Sequence, residues 1–121
     1  MIKVARTLIG ASIISTSLLF GANCADPQTN FEMKECESIR LQKADKELNL
    51  AYKKLYAKLD NIGREKLKKA QKAWLSFRDA NSDFSANSVR GGTMELLFFT
   101  TTMASMAEAR TRELNEELSK L

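Results

Sequence analysis

Apolar side chains recur at helical spacing along most of the chain, after a capping-box pattern at Thr29 and Glu32. In such a box the Thr hydroxyl accepts a hydrogen bond from the Glu amide, which predicts that a helix starts here. The helix-breaking Gly63 predicts its end near Asp60-Asn61. Between these points the larger apolar residues recur every seven positions, at Leu41, Leu48, Leu55 and Ile62. This near-heptad repeat predicts a long amphipathic helix with one buried stripe.

A second helix is predicted from Arg64 onward, and it contains the stretch AQKAWLSFRDANSDF. Its apolar residues are spaced by three, four and seven positions, at Leu67, Ala70, Trp74, Phe77 and Phe84. Side chains at these spacings share one face of a helix. We therefore expect the three aromatic residues to lie in the core, where each offers about 150–250 Å² of surface to bury. Stacking of Trp74 on a ligand is the alternative.

The following stretch, NSDFSANSVRGGT at residues 81–93, is rich in Asn, Ser and Gly and predicts a loop. Gly91 and Gly92 permit positive φ and a sharp change of direction. A third helix is predicted from Glu95 to Leu121. Its apolar side consists of Leu96, Phe99, Met103, Met106, Leu114, Leu118 and Leu121. No segment alternates convincingly with period two, so the predicted fold is all-α, a three-helix antiparallel bundle.

The N-terminus has the features of a secretory signal peptide. Lys3 and Arg6 precede an uncharged run from Thr7 to Ala22 that ends in small residues. The run is shorter than the roughly 20 apolar residues needed to span a bilayer, and it contains Ser and Thr. We predict a signal peptide at residues 1–22 and one domain at residues 23–121, periplasmic or secreted and without stable membrane insertion. Lipidation of Cys24 is disfavoured because Asn23, rather than a small residue, precedes it.

Charge and cysteine content narrow the classes of partner and cofactor. The formal charge is +4, and removal of Lys3 and Arg6 lowers it to +2. Lys and Glu are interspersed, with no basic block that would indicate nucleic acid. The two cysteines, Cys24 and Cys36, predict a disulfide that ties the N-terminal arm, worth roughly 2–3 kcal/mol. The chain has no His, and two Cys alone cannot fill a zinc shell, so no metal or cofactor is expected.

Two interpretations fit the charged residues near the second helix. The first is structural: an inter-helix ion pair of Asp79 or Asp45 with Arg110, beside Trp74 in the core, that fixes helix register. The second is functional: a recognition edge for a protein partner, built from Arg78, Arg90, Gly91 and Gly92. Convergence of Asp79, Asp83 and Glu95 would permit glycoside hydrolysis, but acidic residues on exposed helix faces are ordinary. We therefore do not expect an enzyme.

Five blocks of sequence, taken together, resemble the pattern of a known protein family. In order they are CADPQTNFEMKEC, KADKELNLAYKKL, LKKAQKAWLSFRDA, the Gly91-Gly92 pair and RTREL. Together they resemble the lysozyme-inhibitor LprI N-terminal-domain family of small exported bacterial proteins, from Cys24 to about Leu114. The family pattern has a second disulfide at positions that correspond here to Ser82 and Thr102, and a Thr that corresponds to Ala107.

The resemblance implies binding and inhibition of lysozyme, with Arg90 or Arg78 pairing with the catalytic carboxylates of its cleft. Common animal lysozymes are strongly basic, so a mature chain near +2 gains no long-range attraction to them. A local acidic patch such as Glu113-Glu116-Glu117 would compensate. The alternative is a periplasmic structural or interaction module that binds an unknown partner through a helix face. The sequence does not determine the oligomeric state.

Overall fold

The computed structural model describes residues 23–121 as three α-helices joined by short connections. They are α1 (Asn30–Lys58), α2 (Asn61–Ala86) and α3 (Glu95–Ser119), with a 3-10 turn at Asn87–Val89 before α3. Consecutive helices run antiparallel, and this described part contains no strand. The predicted three-helix fold is confirmed, whereas the predicted signal peptide lies outside the described residues. None of the three helices is long and apolar enough to cross a membrane.

Side-chain caps define where α1 and α2 begin. Thr29 Oγ1 accepts from the Glu32 amide at 3.1 Å, as the sequence predicts, while Glu32 Oε2 accepts from the Gln28 amide at 2.9 Å. Asp60 caps α2 by accepting from the Gly63 amide at 2.8 Å. Gly63 therefore lies in the first turn of α2, where a Cβ would come within 3.2 Å of Leu59 and Asp60. The break between α1 and α2 therefore lies at Leu59 and Asp60, before the glycine, and the first turn of α2 packs too closely around Gly63 to leave room for a side chain there.

The predicted disulfide between Cys24 and Cys36 is present and ties the N-terminal arm to the first turns of α1. The core lies mainly between α1 and α3, which form the largest interface of the bundle. Alanines on the buried faces of these helices let the two backbones approach closely. They are Ala44 and Ala51 in α1 and Ala104 and Ala107 in α3. The larger buried side chains of the core cluster are Leu48, Leu55, Leu67 and Leu114.

Two sequence-based expectations about α2 are wrong. The helix continues to Ala86, so residues 81–86 are not part of a loop. Phe77 and Phe84, expected in the core, are 59% and 77% exposed. The face of α2 that packs on the bundle instead carries Leu67, Gln71, half-buried Trp74, Arg78, Ser82 and Ala86.

Polar side chains that reach α3 account for the greater length of α2. Asn81 Nδ2 lies 3.2 Å from Met106 Sδ, and the hydroxyls of Ser85 and Thr102 are 2.7 Å apart. These contacts hold the polar last turns of α2 against α3, so the helix extends further than its composition predicts. Ile62, Leu96 and Leu121, also expected in apolar stripes, are 69%, 60% and 66% exposed.

An ion-pair network joins α1 to α3. The guanidinium of Arg40 donates to both carboxylate oxygens of Glu108 at 2.8 and 2.9 Å, to Glu37 at 3.0 Å and to Ser105 Oγ at 3.1 Å. The hydrogen bond from Arg40 lowers the pKa of Glu108, and the same bond raises the pKa of Arg40. A carboxyl with a lowered pKa in the folded state stabilises the fold above its ordinary pKa and loses that contribution as the pH falls.

We predict that Glu108→Gln lowers the free energy of unfolding at pH 7 by up to about 1 kcal/mol, because the pair is partly open to solvent. At pH 3 the difference from the wild type should be smaller, because the stabilisation that comes from the lowered pKa of Glu108 is lost as the pH falls. Urea denaturation at the two pH values measures both differences. The control is Glu116→Gln, at an exposed position that forms no ion pair within residues 23–121. A penalty for Glu108→Gln that persists unchanged at pH 3 would contradict the assignment.

A second prediction concerns Ser82, which is 0% exposed and whose hydroxyl has no hydrogen-bond partner within residues 23–121. A buried unsatisfied hydroxyl costs about 1–3 kcal/mol. Ser82→Ala should therefore raise the free energy of unfolding by about 1–2 kcal/mol, as measured by urea denaturation. Ser76→Ala, at an exposed position of the same helix, measures the gain in helix propensity together with the loss of one exposed hydrogen bond, of 3.3 Å, to the Lys72 carbonyl. Equal effects of the two substitutions would show that the buried hydroxyl carries no penalty.

Candidate functional site

The start of α1, the end of α2 and the start of α3 meet at one end of the bundle, together with the disulfide-bonded arm. We call residues 23–40 and 79–105 the disulfide end. Contact between the hydroxyls of Ser85 and Thr102 joins α2 to α3 here. A cavity lined by Cys24, Ser85 and Leu97 places the arm at this same end, so the connection that contains Arg90, Gly91 and Gly92 lies at the end of the bundle that carries the disulfide.

The Arg90-Gly91-Gly92 connection has a defined turn structure. Gly91 has φ of 74°, a conformation that side chains with a Cβ rarely adopt. Its amide donates to Glu95 Oε2 at 3.1 Å, and the Gly92 amide donates to the Val89 carbonyl at 3.0 Å. Arg90 is exposed, and its guanidinium makes one long hydrogen bond, of 3.4 Å, to Asn87 Oδ1. These hydrogen bonds fix the backbone of the turn, and the Arg90 side chain faces solvent.

A shallow depression of about 380 Å³ adjoins this turn. It is lined by Ala80, Asp83, Phe84, Asn87, Arg90 and Glu95, all of which are exposed. Asp83 and Glu95 thus converge near the turn as considered from the sequence, but Asp79 is not among the lining residues. An open surface depression suits contact with a protein better than it suits an enclosed small-molecule site, which buries most of its ligand.

An apolar stripe on the exposed side of α2 leads to this depression. Successive members are three or four residues apart and so share one helix face. The stripe consists of Ala70, Ala73, Phe77, Ala80 and Phe84, each of which is exposed. We call it the α2 stripe. Its last two members line or border the depression, so the Arg90 turn and the α2 stripe form one continuous surface.

A second, more apolar cavity of about 420 Å³ lies beside the disulfide. Its walls come from the arm, the first turns of α1, and the facing turns of α2 and α3. They include Cys24, Pro27, Met33, Cys36, Leu97 and Phe98. The disulfide end is therefore less completely filled than the core cluster around Leu48 and Leu55.

Arg78, predicted as part of the recognition edge, is instead buried among residues of the bundle. Arg78 is 8% exposed, and its Nη1 donates a hydrogen bond to Asp45 Oδ1 at 2.6 Å. The guanidinium lies 5.1 Å from the ring of Trp74, within the range of a cation–π contact. Its Nε is buried without a hydrogen-bond partner within residues 23–121. Arg78 thus faces the bundle interior, away from the surface that Arg90 occupies.

Asp45 forms an inter-helix ion pair, but its partner differs from the predicted one. Asp45 of α1 binds Arg78 of α2, and not Arg110 as expected. Arg110 instead donates to Gln71 Oε1 at 3.1 Å and to Glu113 at 3.0 Å, and so joins α3 to α2. Asp79 is exposed and forms no ion pair within residues 23–121, so it does not belong to the polar core.

Charge is divided unevenly between the two ends of the bundle. The disulfide end contains seven carboxylates, at Asp26, Glu32, Glu35, Glu37, Asp79, Asp83 and Glu95, and three basic residues, at Lys34, Arg40 and Arg90. The remaining described residues, 41–78 and 106–121, contain fourteen basic and eight acidic side chains. The domain is therefore acidic at one end although its total charge is positive.

The acidic patch proposed from sequence, Glu113-Glu116-Glu117, lies at the opposite end of α3 from the Arg90 turn. There these carboxylates share a depression with Lys66, Arg110 and Lys120. Glu113 pairs with Arg110, and Glu117 pairs with Lys120 at 2.8 Å. This patch is largely neutralised locally, whereas the carboxylates that share a depression with Arg90 are Asp83 and Glu95.

In a comparison with known protein families, the model of the family described as lysozyme inhibitor LprI matches residues 22–114. The chain belongs to the LprI family. An uncharacterised protein of Rhizobium meliloti (strain 1021) is 28% identical over 107 residues, with coverage of 78% of this chain and 77% of the relative. No solved structure matches the chain significantly.

The family pattern leads one to expect a second disulfide at the positions that Ser82 and Thr102 occupy in this chain, and the structure shows what these two side chains contact instead. The hydroxyl of Thr102 contacts Ser85, one turn beyond Ser82, while the Ser82 hydroxyl is buried without a partner. A hydroxyl contact therefore joins α2 and α3 where a covalent bond is expected from the family pattern. The loss leaves the joint between the helices beside the disulfide cavity weaker, since a single hydrogen bond contributes only about 1 kcal/mol.

The α2 stripe and the exposure of Phe84 do not follow from the sequence alone. The spacing of Phe77 and Phe84 also fits a core stripe, because large aromatic side chains offer much surface to bury. The signal that could have corrected this is the alternative stripe Leu67, Gln71, Trp74, Arg78, which follows the same helical spacing. One of the two stripes had to face solvent, and sequence periodicity alone does not say which.

We predict opposite consequences for the two arginines. Arg78→Ala should lower the free energy of unfolding by about 2–3 kcal/mol, because it leaves Asp45 without its partner and opens space beside Trp74. Arg90→Ala should change it by no more than about 0.5 kcal/mol, as is usual for exposed positions. Urea denaturation of both variants provides the measurement. Equal stabilities would mean that the Arg78–Asp45 pair does not hold α2 in place.

Proposed function

We propose that the protein is exported and inhibits lysozyme by presenting the Arg90-Gly91-Gly92 turn to the active-site cleft. Arg90 would pair with the catalytic carboxylates through its planar guanidinium, which matches carboxylate geometry. Inhibition of this kind needs no chemistry of its own, only a rigid scaffold and occlusion of the cleft. The proposal thus describes a binding protein and not an enzyme.

The observation that carries the proposal is the exposed Arg90 on a structured turn, in a chain that belongs to a lysozyme-inhibitor family. The Gly91–Glu95 and Gly92–Val89 hydrogen bonds hold the turn before any partner binds, so little ordering entropy would be lost on binding. The disulfide supports an extracytoplasmic location, because disulfides persist in oxidising compartments.

The second candidate function is an interaction module of the periplasm that binds an unknown partner through a helix face. The α2 stripe favours it, since contiguous exposed apolar surface marks sites of protein interaction. On this chain the stripe ends at Phe84, beside the Arg90 turn. The two candidates therefore share a surface and differ in what the surface binds.

The test is lysis of peptidoglycan by several classes of lysozyme, with and without the oxidised protein in molar excess. We expect inhibition of at least one class. Arg90→Gln, or deletion of Gly92, should reduce that inhibition at least tenfold while helicity and melting temperature stay unchanged. Arg112→Gln is the matched control, because Arg112 is an exposed arginine at the other end of α3.

Two results would count against the proposal. If no class of lysozyme is inhibited, the interaction module becomes the preferred function. If lysozyme is inhibited equally by the wild type and both turn variants, the protein is an inhibitor but the turn is not its binding edge.

A further inference from the structure

Arg90 is a single positive charge in an acidic surrounding. The other charged residues of its depression are Asp83 and Glu95, and the disulfide end as a whole is net negative. Glu95 is held by its hydrogen bond from the Gly91 amide, so one carboxylate has a fixed place beside the turn. The local pattern is therefore a cation enclosed by anions.

This pattern is the electrostatic complement of a basic protein with an acidic cleft. In such a partner, carboxylates in the cleft would face Arg90, and the basic surface around the cleft would face Asp83 and Glu95. Complementary potentials of this kind raise association rates and fix orientation. The total charge of the domain obscures the match, because the positive excess lies on residues 41–78 and 106–121.

The apolar part of the surface supplies an anchor. Phe84 is 77% exposed at the edge of the depression, and Phe77 is 59% exposed two turns earlier on the α2 stripe. Neither ring contributes to the core cluster. The small side chains of Ala73 and Ala80 alternate with the two rings along the stripe, which leaves room for a partner to approach α2 closely. Large aromatic side chains at the centre of a surface are typical of residues that dominate binding energy.

We infer that the last turns of α2 and the Arg90 turn form a docking surface for a basic protein, with Phe84 as its apolar anchor and Asp83 and Glu95 as its steering charges. The inference rests on the proposed function, because lysozyme is the basic partner that it specifies. It goes further by naming the residues outside the turn that determine partner choice. It also explains how a domain with a net positive charge would attract a basic enzyme.

Binding kinetics of the oxidised protein with a strongly basic animal lysozyme test the inference. Asp83→Asn together with Glu95→Gln should lower the association rate constant about three- to tenfold at 50 mM salt, where charge interactions are weakly screened. The difference should nearly vanish at 1 M salt. Phe84→Ala should raise the dissociation rate constant at least tenfold, because loss of an apolar anchor acts mainly on dissociation.

Matched controls come from the opposite end of the bundle. Glu116→Gln together with Glu117→Gln removes the same formal charge from α3, away from the turn. Ile62→Ala removes an exposed apolar side chain, 69% exposed, at the start of α2. Both controls should leave the two rate constants within about twofold of the wild type. Circular dichroism and thermal melting establish that every variant is folded.

The outcomes separate the inference from the function on which it rests. Wild-type protein that inhibits no class of lysozyme and does not bind the basic animal lysozyme would overturn both. Wild-type protein that inhibits another class but does not bind the basic lysozyme would overturn the docking surface alone. Wild-type protein that binds lysozyme, with rate constants that Phe84→Ala and the Asp83/Glu95 variant leave unchanged, would overturn the docking surface alone. Equal effects of the Asp83/Glu95 and Glu116/Glu117 variants would show that total charge, and not its position, governs association.

Discussion

The buried guanidinium of Arg78 determines how α2 is rotated about its axis, and the exposed surface of the protein depends on that rotation. Arg78 binds Asp45 of α1 and lies over Trp74, so its side of α2 must face the bundle. Residue 77 is displaced by about 100° around the helix from residue 78. Phe77 therefore points away from the bundle, and Phe84, two turns later on the same side, does so as well. A polar contact in the interior thus places aromatic side chains on the surface.

The two ends of the bundle have different physical roles. Leucines and alanines of the core cluster fill the part where α1, α2 and α3 pack around Leu55, Leu67 and Leu114. At the disulfide end a cavity remains, and the joint between α2 and α3 relies on the Ser85–Thr102 hydroxyl contact. The covalent bond between Cys24 and Cys36 holds the arm where apolar packing is sparse. Stability comes mainly from one end, which leaves the other free to expose polar and aromatic residues.

Sequence reasoning predicted the features that local chemistry determines. The cap at Thr29, the three helices and the disulfide followed from residue types at short spacing, and the structure confirms them. The rotation of α2 did not follow, because two stripes of the helix satisfied the same periodicity. The stripe with Arg78 is buried only because Asp45 of another helix accepts its charge. A long-range pairing of this kind leaves no mark on the periodicity of the sequence.

The division of charge follows from topology rather than from any charged block in the sequence. Residues 23–40 and 79–105 are separated in sequence by residues 41–78, and each segment contains only a moderate acidic excess. Because consecutive helices run antiparallel, the two segments meet at one end and their carboxylates add. The basic residues of the intervening segment accumulate at the other end. An approaching basic protein would therefore encounter opposite potentials along the bundle axis, which favours contact at the end that carries Arg90 and Phe84.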